Sequence, residues 1–176
     1  MKEAINYRFA VPEDAGKLSV LFKQVYIHTY GLEGVSDEFA NFVNKRFSVA
    51  YLENSIRSEP NHIWVATYKN NLIGVAEISE QSMCPIRNIQ EAELSKLYVL
   101  HHFKGMGVGH TLLQKAEQTL QEKNHDSLWL VVWEENPHAI AFYERQGYQT
   151  LGQTPFPMET NTYVNRVMRK PMAVSS

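Results

Sequence analysis

The sequence predicts one α/β (α+β) domain built around a central sheet, and three observations predict it. Apolar residues recur at helical spacing in some segments, such as 18–25, and form an unbroken run in others, such as 128–133. No linker, repeat or low-complexity tract divides the 176 residues. The hydrophobic content of 44% is ordinary for a packed globular protein. We therefore expect helices and strands in the order β-α-α-β-β-β-α-β-α-β-β.

The first half of the chain is predicted to begin with a strand, two helices and a hairpin. Pro12, followed by two acidic residues, suits a helix start, and Ser36 suits the N-cap of a second helix. The predicted elements are a strand over 5–11, a helix from 12, an acidic and aromatic loop over 26–37, a helix from 36 towards 56, strands over 62–68 and 72–79 joined by 69–71, and, after a polar loop, a strand around 92–100.

The second half is predicted to alternate helices with strands. An amphipathic helix runs from 107 to about 124, and the apolar run over 128–133 is typical of a central strand covered on both faces. Asn136 with Pro137 suits a helix start, and Gly147 suits a helix end. Two closing strands are predicted over 148–151 and 162–168, separated by a Pro155-to-Pro157 stretch. The domain is expected to span 1–171, with a frayed tail over 172–176.

Composition excludes several classes of partner. The net charge of −2 and the scattered basic residues predict no nucleic-acid partner and no anionic membrane partner. Cys84 is the single cysteine, so neither an intramolecular disulfide nor a cysteine-cluster metal site is expected. The first ten residues lack the order of a signal peptide. We expect a cytoplasmic protein without a metal.

A glycine-rich segment between a strand and a helix, Lys104-Gly105-Met106-Gly107-Val108-Gly109, predicts an anion site. Glycine permits positive φ, and the N–H groups of a first helical turn are free to bind phosphate oxygens. His110 stands where a dinucleotide fingerprint needs its third glycine, and the chain holds no GxxxxGK[ST] loop. The alternative is a turn that merely tightens the connection.

Two stretches resemble the GNAT superfamily of N-acetyltransferases. Residues 93–113 resemble its motif A, whose (Arg or Gln)-x-x-Gly-x-(Gly or Ala) pattern is matched at Lys104, Gly107 and Gly109, with lysine as a departure. Residues 128–148 resemble the second half of the fold, and the PaiA-type polyamine (spermidine/spermine) N-acetyltransferases look closest. The resemblance implies a mixed, mostly antiparallel sheet of six to seven strands, splayed between strands 4 and 5 and flanked by four helices.

The same resemblance implies acetyl-CoA as the cosubstrate. A main-chain N–H, for which Leu97 is the candidate, would polarise the thioester carbonyl. Lys104 keeps a positive charge but lacks the planar fork of arginine, so the resemblance implies the backbone cradle for the pyrophosphate and leaves the side-chain contact open. The residues implied for the cofactor are Leu97, Tyr98, Val99, Lys104, Gly105, Met106, Gly107, Val108, Gly109, His110, Asn136 and Tyr143.

Two residues match the catalytic positions of the family. An alkylammonium group with a pKa near roughly 10 must lose a proton before attack, and Glu93 is the candidate base. The alternative for Glu93 is an exposed strand end or a salt bridge with Lys96 or Arg87. Tyr143 matches the tyrosine that protonates the departing sulfur, and its alternative is a core aromatic.

The acceptor is expected to be a small-molecule amine, with polyamines as the leading class. Tyr26, Tyr30, Glu33 and Glu77 are the candidate substrate residues, because aromatic rings and carboxylates attract a cation. The alternatives are acetylation of a protein N-terminus or lysine, and a non-catalytic acyl-CoA sensor. The exposed strand edges expected in this fold could also pair two copies of the chain into a homodimer.

Overall fold

The computed structural model describes residues 4–157 and 162–174, and this part of the chain holds seven strands and five α-helices. The strands are β1 (Asn6–Phe9), β2 (Ile63–Tyr68), β3 (Asn71–Met83), β4 (Gln90–Val99), β5 (Ser127–Trp133), β6 (Gln149–Pro157) and β7 (Thr162–Pro171). The helices are α1 (Ala15–Tyr30), α2 (Asp37–Arg46), α3 (Val49–Ser58), α4 (Val108–Glu122) and α5 (Pro137–Arg145).

The strands form one mixed sheet in the order β1-β2-β3-β4-β5-β7-β6. β4 and β5 are parallel, with Glu93 opposite Trp129 and Leu94 opposite Leu130. β1 with β2, β2 with β3, β5 with β7 and β6 with β7 are antiparallel. The predicted α/β fold class is confirmed. The splay between the fourth and fifth strands stays a prediction.

The first of two compact units holds residues 4–77 and Lys96–Leu113. Its core includes Phe22 of α1, whose ring lies 5.3 Å from that of Phe47 and 5.6 Å from that of Tyr98. Ser19 Oγ donates a hydrogen bond to the Phe47 carbonyl oxygen at 2.5 Å. These contacts hold α1 against the end of β4 and the residue that follows α2.

The second unit holds Ile78–Ser95 and the described residues from 114 onwards. Its central strand is β5, in which every residue except Val131 is buried, as the unbroken apolar run predicts. Tyr148 donates a hydrogen bond to Glu117 Oε1 at 2.9 Å, and Lys170 pairs with the same carboxylate at 3.0 Å. Burial raises the pKa of the Tyr148 hydroxyl, so this phenol stays protonated.

The segment after α1 differs from its prediction in two ways. The predicted loop over 26–37 is shorter, because α1 continues until the Gly31 N–H closes on the Ile27 carbonyl at 2.7 Å. The single helix predicted from 36 towards 56 is divided into α2 and α3. Ser48 has extended backbone angles and its side chain accepts a hydrogen bond from the Tyr51 N–H, so it caps a new helix.

The predictions for β3, β4 and β6 each stop short of one end of the observed strand. β3 and β4 extend into the predicted polar loop, where the Cys84 N–H donates to the Ile89 carbonyl at 3.0 Å. β6 runs through Pro155 and Pro157, which the sequence places between strands. Proline is tolerated there because β6 is the last strand in the sheet order, and an edge strand has a row of N–H groups without a ladder partner.

The predicted single domain over 1–171 stays a prediction. Residues 1–3 and 158–161, and residues 175 and 176 of the predicted tail, lie outside the described residues. Among the described helices none combines the length and apolar character needed to cross a bilayer.

Candidate active site

The segment before α4 forms the predicted phosphate loop (Lys104–Gly109). Gly105 and Gly107 have φ angles of +78° and +80°, which residues with a side chain rarely adopt. A Cβ added to either glycine would meet no described atom within 4 Å, so the loop surface is open. α4 begins at Val108, and the N–H groups of a first helical turn have no partner within the helix. This geometry fits a diphosphate.

Gly74 on β3 lets α4 approach the sheet closely, and sequence reasoning missed it. A Cβ at Gly74 would lie 3.1 Å from the Tyr98 carbonyl oxygen and from Leu112 Cδ1, and 3.2 Å from Val108 Cγ1. A glycine inside a predicted strand is the available signal, since it often marks such an approach. Gly74 therefore positions the first turns of α4, which follow the phosphate loop.

The end of β4 carries the residues predicted for the pantetheine arm. Tyr98 points towards α1, where its ring lies 5.6 Å from that of Phe22. Because side chains alternate along a strand, Leu97 and Val99 point to the opposite face. The Leu100 N–H donates to the Ile73 carbonyl at 2.9 Å, which joins the end of this strand to β3. Leu97 therefore lies on a strand whose end is joined to β3.

In the second unit, α5 positions Asn136 and Tyr143. Asn136 Oδ1 accepts a hydrogen bond from the Ala139 N–H at 3.2 Å, which caps the helix. The side-chain NH2 group is the part of Asn136 that the predicted pantetheine contact would use. Tyr143 is 8% exposed, and its ring lies 5.7 Å from that of Tyr148 in an edge-to-face arrangement. Both functional roles stay predictions.

Glu93 is half-buried on β4, opposite Trp129. The two cations named as its alternative partners bind other carboxylates. Arg87 contacts Glu91 at 2.6 Å, and Lys96 contacts Glu77 at 2.8 Å. The role of Glu93 as a base stays a prediction.

The four predicted substrate residues have different surroundings. Tyr26 is 6% exposed and its ring lies 4.6 Å from that of Tyr30 and 5.1 Å from that of Phe42. Glu33 is exposed in the turn after α1. Glu77 is engaged by Lys96, whose ammonium also lies 5.5 Å from the centre of the Phe22 ring. These four assignments stay predictions.

Among the described residues no cluster of three or more His, Cys, Asp or Glu could hold a metal ion. The ring of His101 lies 5.6 Å from that of His28 and 6.2 Å from that of His102. Cys84 is fully buried in a cluster with Trp129 and Val167.

Comparison with known proteins identifies a family. The model of the acetyltransferase (GNAT) family matches residues 31–148, which is more than half of the chain and includes the phosphate loop and Tyr143. An uncharacterized N-acetyltransferase of Lactobacillus delbrueckii subsp. lactis is 20% identical over 159 residues, which cover 90% of this chain and 92% of that protein.

Solved structures share the fold. The PaiA N-acetyltransferase from Thermoplasma acidophilum in complex with coenzyme A is similar with a TM-score of 0.73 and 22% identity, over 96% of this chain and 99% of its own. The ribosomal-protein-alanine N-acetyltransferase from Brucella melitensis is similar with a TM-score of 0.71 and 22% identity, over 95% and 99%. With the family match over residues 31–148, the chain belongs to the acetyltransferase (GNAT) family and is an acetyl-CoA-dependent N-acetyltransferase.

Proposed function

We propose that this enzyme acetylates a primary amine of a small acceptor, with polyamines as the acceptor class, by direct attack in a ternary complex. The observation that carries the proposal is the open loop before α4, in which Gly105 and Gly107 have left-handed backbone angles and α4 begins one residue later. Acetyl-CoA supplies the acetyl group as a thioester. The N–H groups from Gly105 to His110 would bind its diphosphate.

Strand and helix residues would orient the rest of the cosubstrate. Backbone groups of Leu97 and Val99 would bind the pantetheine arm, and the Leu97 N–H would polarise the thioester carbonyl, a donor worth a few kcal/mol in the transition state. The Asn136 side-chain NH2 would donate to a pantetheine carbonyl. Lys104 would add a positive charge near the diphosphate.

Proton transfers complete the reaction. Glu93, directly or through a water, accepts the proton that the acceptor ammonium must lose. The free amine nitrogen then forms the new C–N bond as the C–S bond breaks. Tyr143 donates its hydroxyl proton to the departing sulfur, and the acetylated nitrogen returns a proton to the Tyr143 phenolate, directly or through a water, so the products are the acetamide and the free thiol. Positioned acids and bases of this kind each contribute about 10²- to 10⁴-fold in rate.

The acidic and aromatic end of α1 supports a cationic acceptor. Tyr30 is half-buried and Glu33 is exposed beside it in sequence, which suits contact with an ammonium group. We extend the proposal to a cytoplasmic enzyme without nucleic-acid or membrane partners, since the net charge is −2 and the single cysteine forms no intramolecular disulfide.

Thiol release from acetyl-CoA tests the proposal with spermidine, spermine and simple monoamines against peptides bearing a free N-terminus or a lysine. We expect turnover of the small amines and a large loss of kcat in Tyr143→Phe. Turnover of peptides alone would assign the enzyme to protein acetylation. Binding of acetyl-CoA without turnover of any acceptor would indicate a sensor.

A further inference from the structure

We propose that Asn165 is a specificity-determining residue: its side-chain oxygen Oδ1 accepts a hydrogen bond from a second ammonium group of the acceptor, so that the acceptor carries at least two amines. The inference rests on the proposed function, because it takes an amine as the acceptor and Glu93 as the base.

The Asn165 side chain is buried with its acceptor atom unpaired. The residue is 6% exposed on β7, and Oδ1 has no hydrogen-bond donor among the described residues. Buried polar atoms of folded proteins nearly always have a partner, and an unpaired carbonyl oxygen is unfavourable. A donor supplied by the substrate explains why an amide stands here in place of a leucine of similar size.

Strand register places Asn165 on the same face of the sheet as Glu93. Asn165 is paired with Trp133, and Trp129 is paired with Glu93. Paired residues on neighbouring strands point to the same face, and so do residues two and four apart on one strand. The side chains of Asn165 and Glu93 therefore lie on the same face of the sheet in the second unit.

The surroundings of Asn165 favour a cation. The Trp133 ring lies 6.2 Å from the ring of Tyr163 at 84°, and aromatic rings attract ammonium groups. The neighbouring cation, Arg166, points to the other face and binds Glu134. Further along the face that carries Asn165, Arg169 contacts Glu91 at 2.9 Å. An oxygen that only accepts hydrogen bonds, beside rings, selects N–H donors over carboxylates.

The distance along β5 requires two different nitrogens. Glu93 lies beside Trp129 of β5, and Asn165 lies beside Trp133, four residues further along the same strand. At about 3.3 Å per residue this separation is about 13 Å. A nitrogen at Asn165 is therefore not the nitrogen that loses its proton to Glu93. A short monoamine reaches one of the two groups, whereas a polyamine reaches both.

Steady-state kinetics of Asn165→Leu with spermidine and with butylamine test the proposal. The KM for spermidine should rise about tenfold or more, the loss expected for a hydrogen bond to a charged group. The KM for acetyl-CoA and kcat/KM for butylamine should stay within twofold. Asn165→Asp should keep or lower the KM for spermidine, because it retains the acceptor oxygen and adds a charge. If the leucine variant does not fold, this aspartate variant provides the test.

Met168→Leu, a fully buried position on the opposite face of β7, is the matched control and should leave the ratio of the two amine KM values unchanged. Equal effects of Asn165→Leu on spermidine and butylamine, or no effect on either, would overturn the proposal while leaving amine acetylation intact. A wild-type enzyme that releases thiol with no amine would instead contradict the proposed function.

Discussion

The phosphate loop and the region around the end of α1 contrast in how their predicted functions depend on the fold. In the loop, Gly105 and Gly107 have the predicted left-handed angles and present backbone groups. Near the end of α1, Tyr26 is buried among other rings, and Glu77 of β3 is paired with Lys96, whose ammonium lies beside Phe22 of α1. Backbone angles can therefore be predicted from local sequence, whereas the availability of a side chain depends on partners from distant parts of the chain.

The largest effect is expected from the paired carboxylate. Glu77→Gln leaves the 9%-exposed Lys96 side chain without its counter-charge, so the free energy of unfolding should fall by about 2 to 3 kcal/mol. The KM for spermidine tests the predicted substrate role of Glu77 separately from this ion pair. Chemical denaturation and kinetics check both values, and the double variant Glu77→Leu/Lys96→Met should recover most of the stability. A raised KM with full stability would make Glu77 a substrate contact.

The next largest effect is expected in the loop. Gly107→Val forces a β-branched residue to a φ of +80°, which costs about 1 to 2 kcal/mol. The KM for acetyl-CoA should rise about tenfold as the N–H groups change direction. Gly16→Ala is the matched control, because its Cβ also meets nothing within 4 Å but lies in helix α1, where alanine is favoured. Equal KM values for both variants would contradict the phosphate-binding role.

A smaller effect is expected from Gly74, which lies against the first turns of α4. Gly74→Ala places a Cβ 3.1 Å from the Tyr98 carbonyl oxygen, so α4 or β3 must shift at a cost of about 1 kcal/mol. The KM for acetyl-CoA should rise less than in Gly107→Val, while the KM for the amine stays constant. An unchanged melting temperature and KM would show that the close approach has no role in positioning α4.

The smallest effect is expected from two surface carboxylates. Glu33→Gln removes an exposed charge and should raise the KM for spermidine about twofold at low salt. Glu134→Gln should not, because Arg166 already binds that carboxylate and lowers its pKa. The stabilisation of wild type over Glu134→Gln should be fully present above the ordinary glutamate pKa of about 4.3 and lost as pH falls through the lowered pKa of Glu134. Denaturation at several pH values checks this dependence.

Predictions that rest on neighbouring residues are confirmed. Pro137 begins α5 behind an Asn136 cap, and Gly147, which follows that helix, has a φ of +94°. Lys69 and Asn70 form the turn between β2 and β3, and both have the positive φ angles that the predicted hairpin requires. The helix predicted from 36 towards 56 is wrong in its continuity, because hydrophobic periodicity does not register the local competition that lets Ser48 cap a new helix.

The sequence by itself determined the order of the elements apart from the break between α2 and α3, the glycine loop and the family resemblance, because propensity, capping and left-handed glycines act over a few residues. Only the tertiary structure decided that Lys96 engages Glu77, 19 residues away, that Gly74 lets α4 approach β3, and that the buried Asn165 oxygen meets no donor among the described residues. Those outcomes depend on which distant residues share a sheet face, and hydrogen bonding, charge pairing and close packing act only once the chain has brought them together.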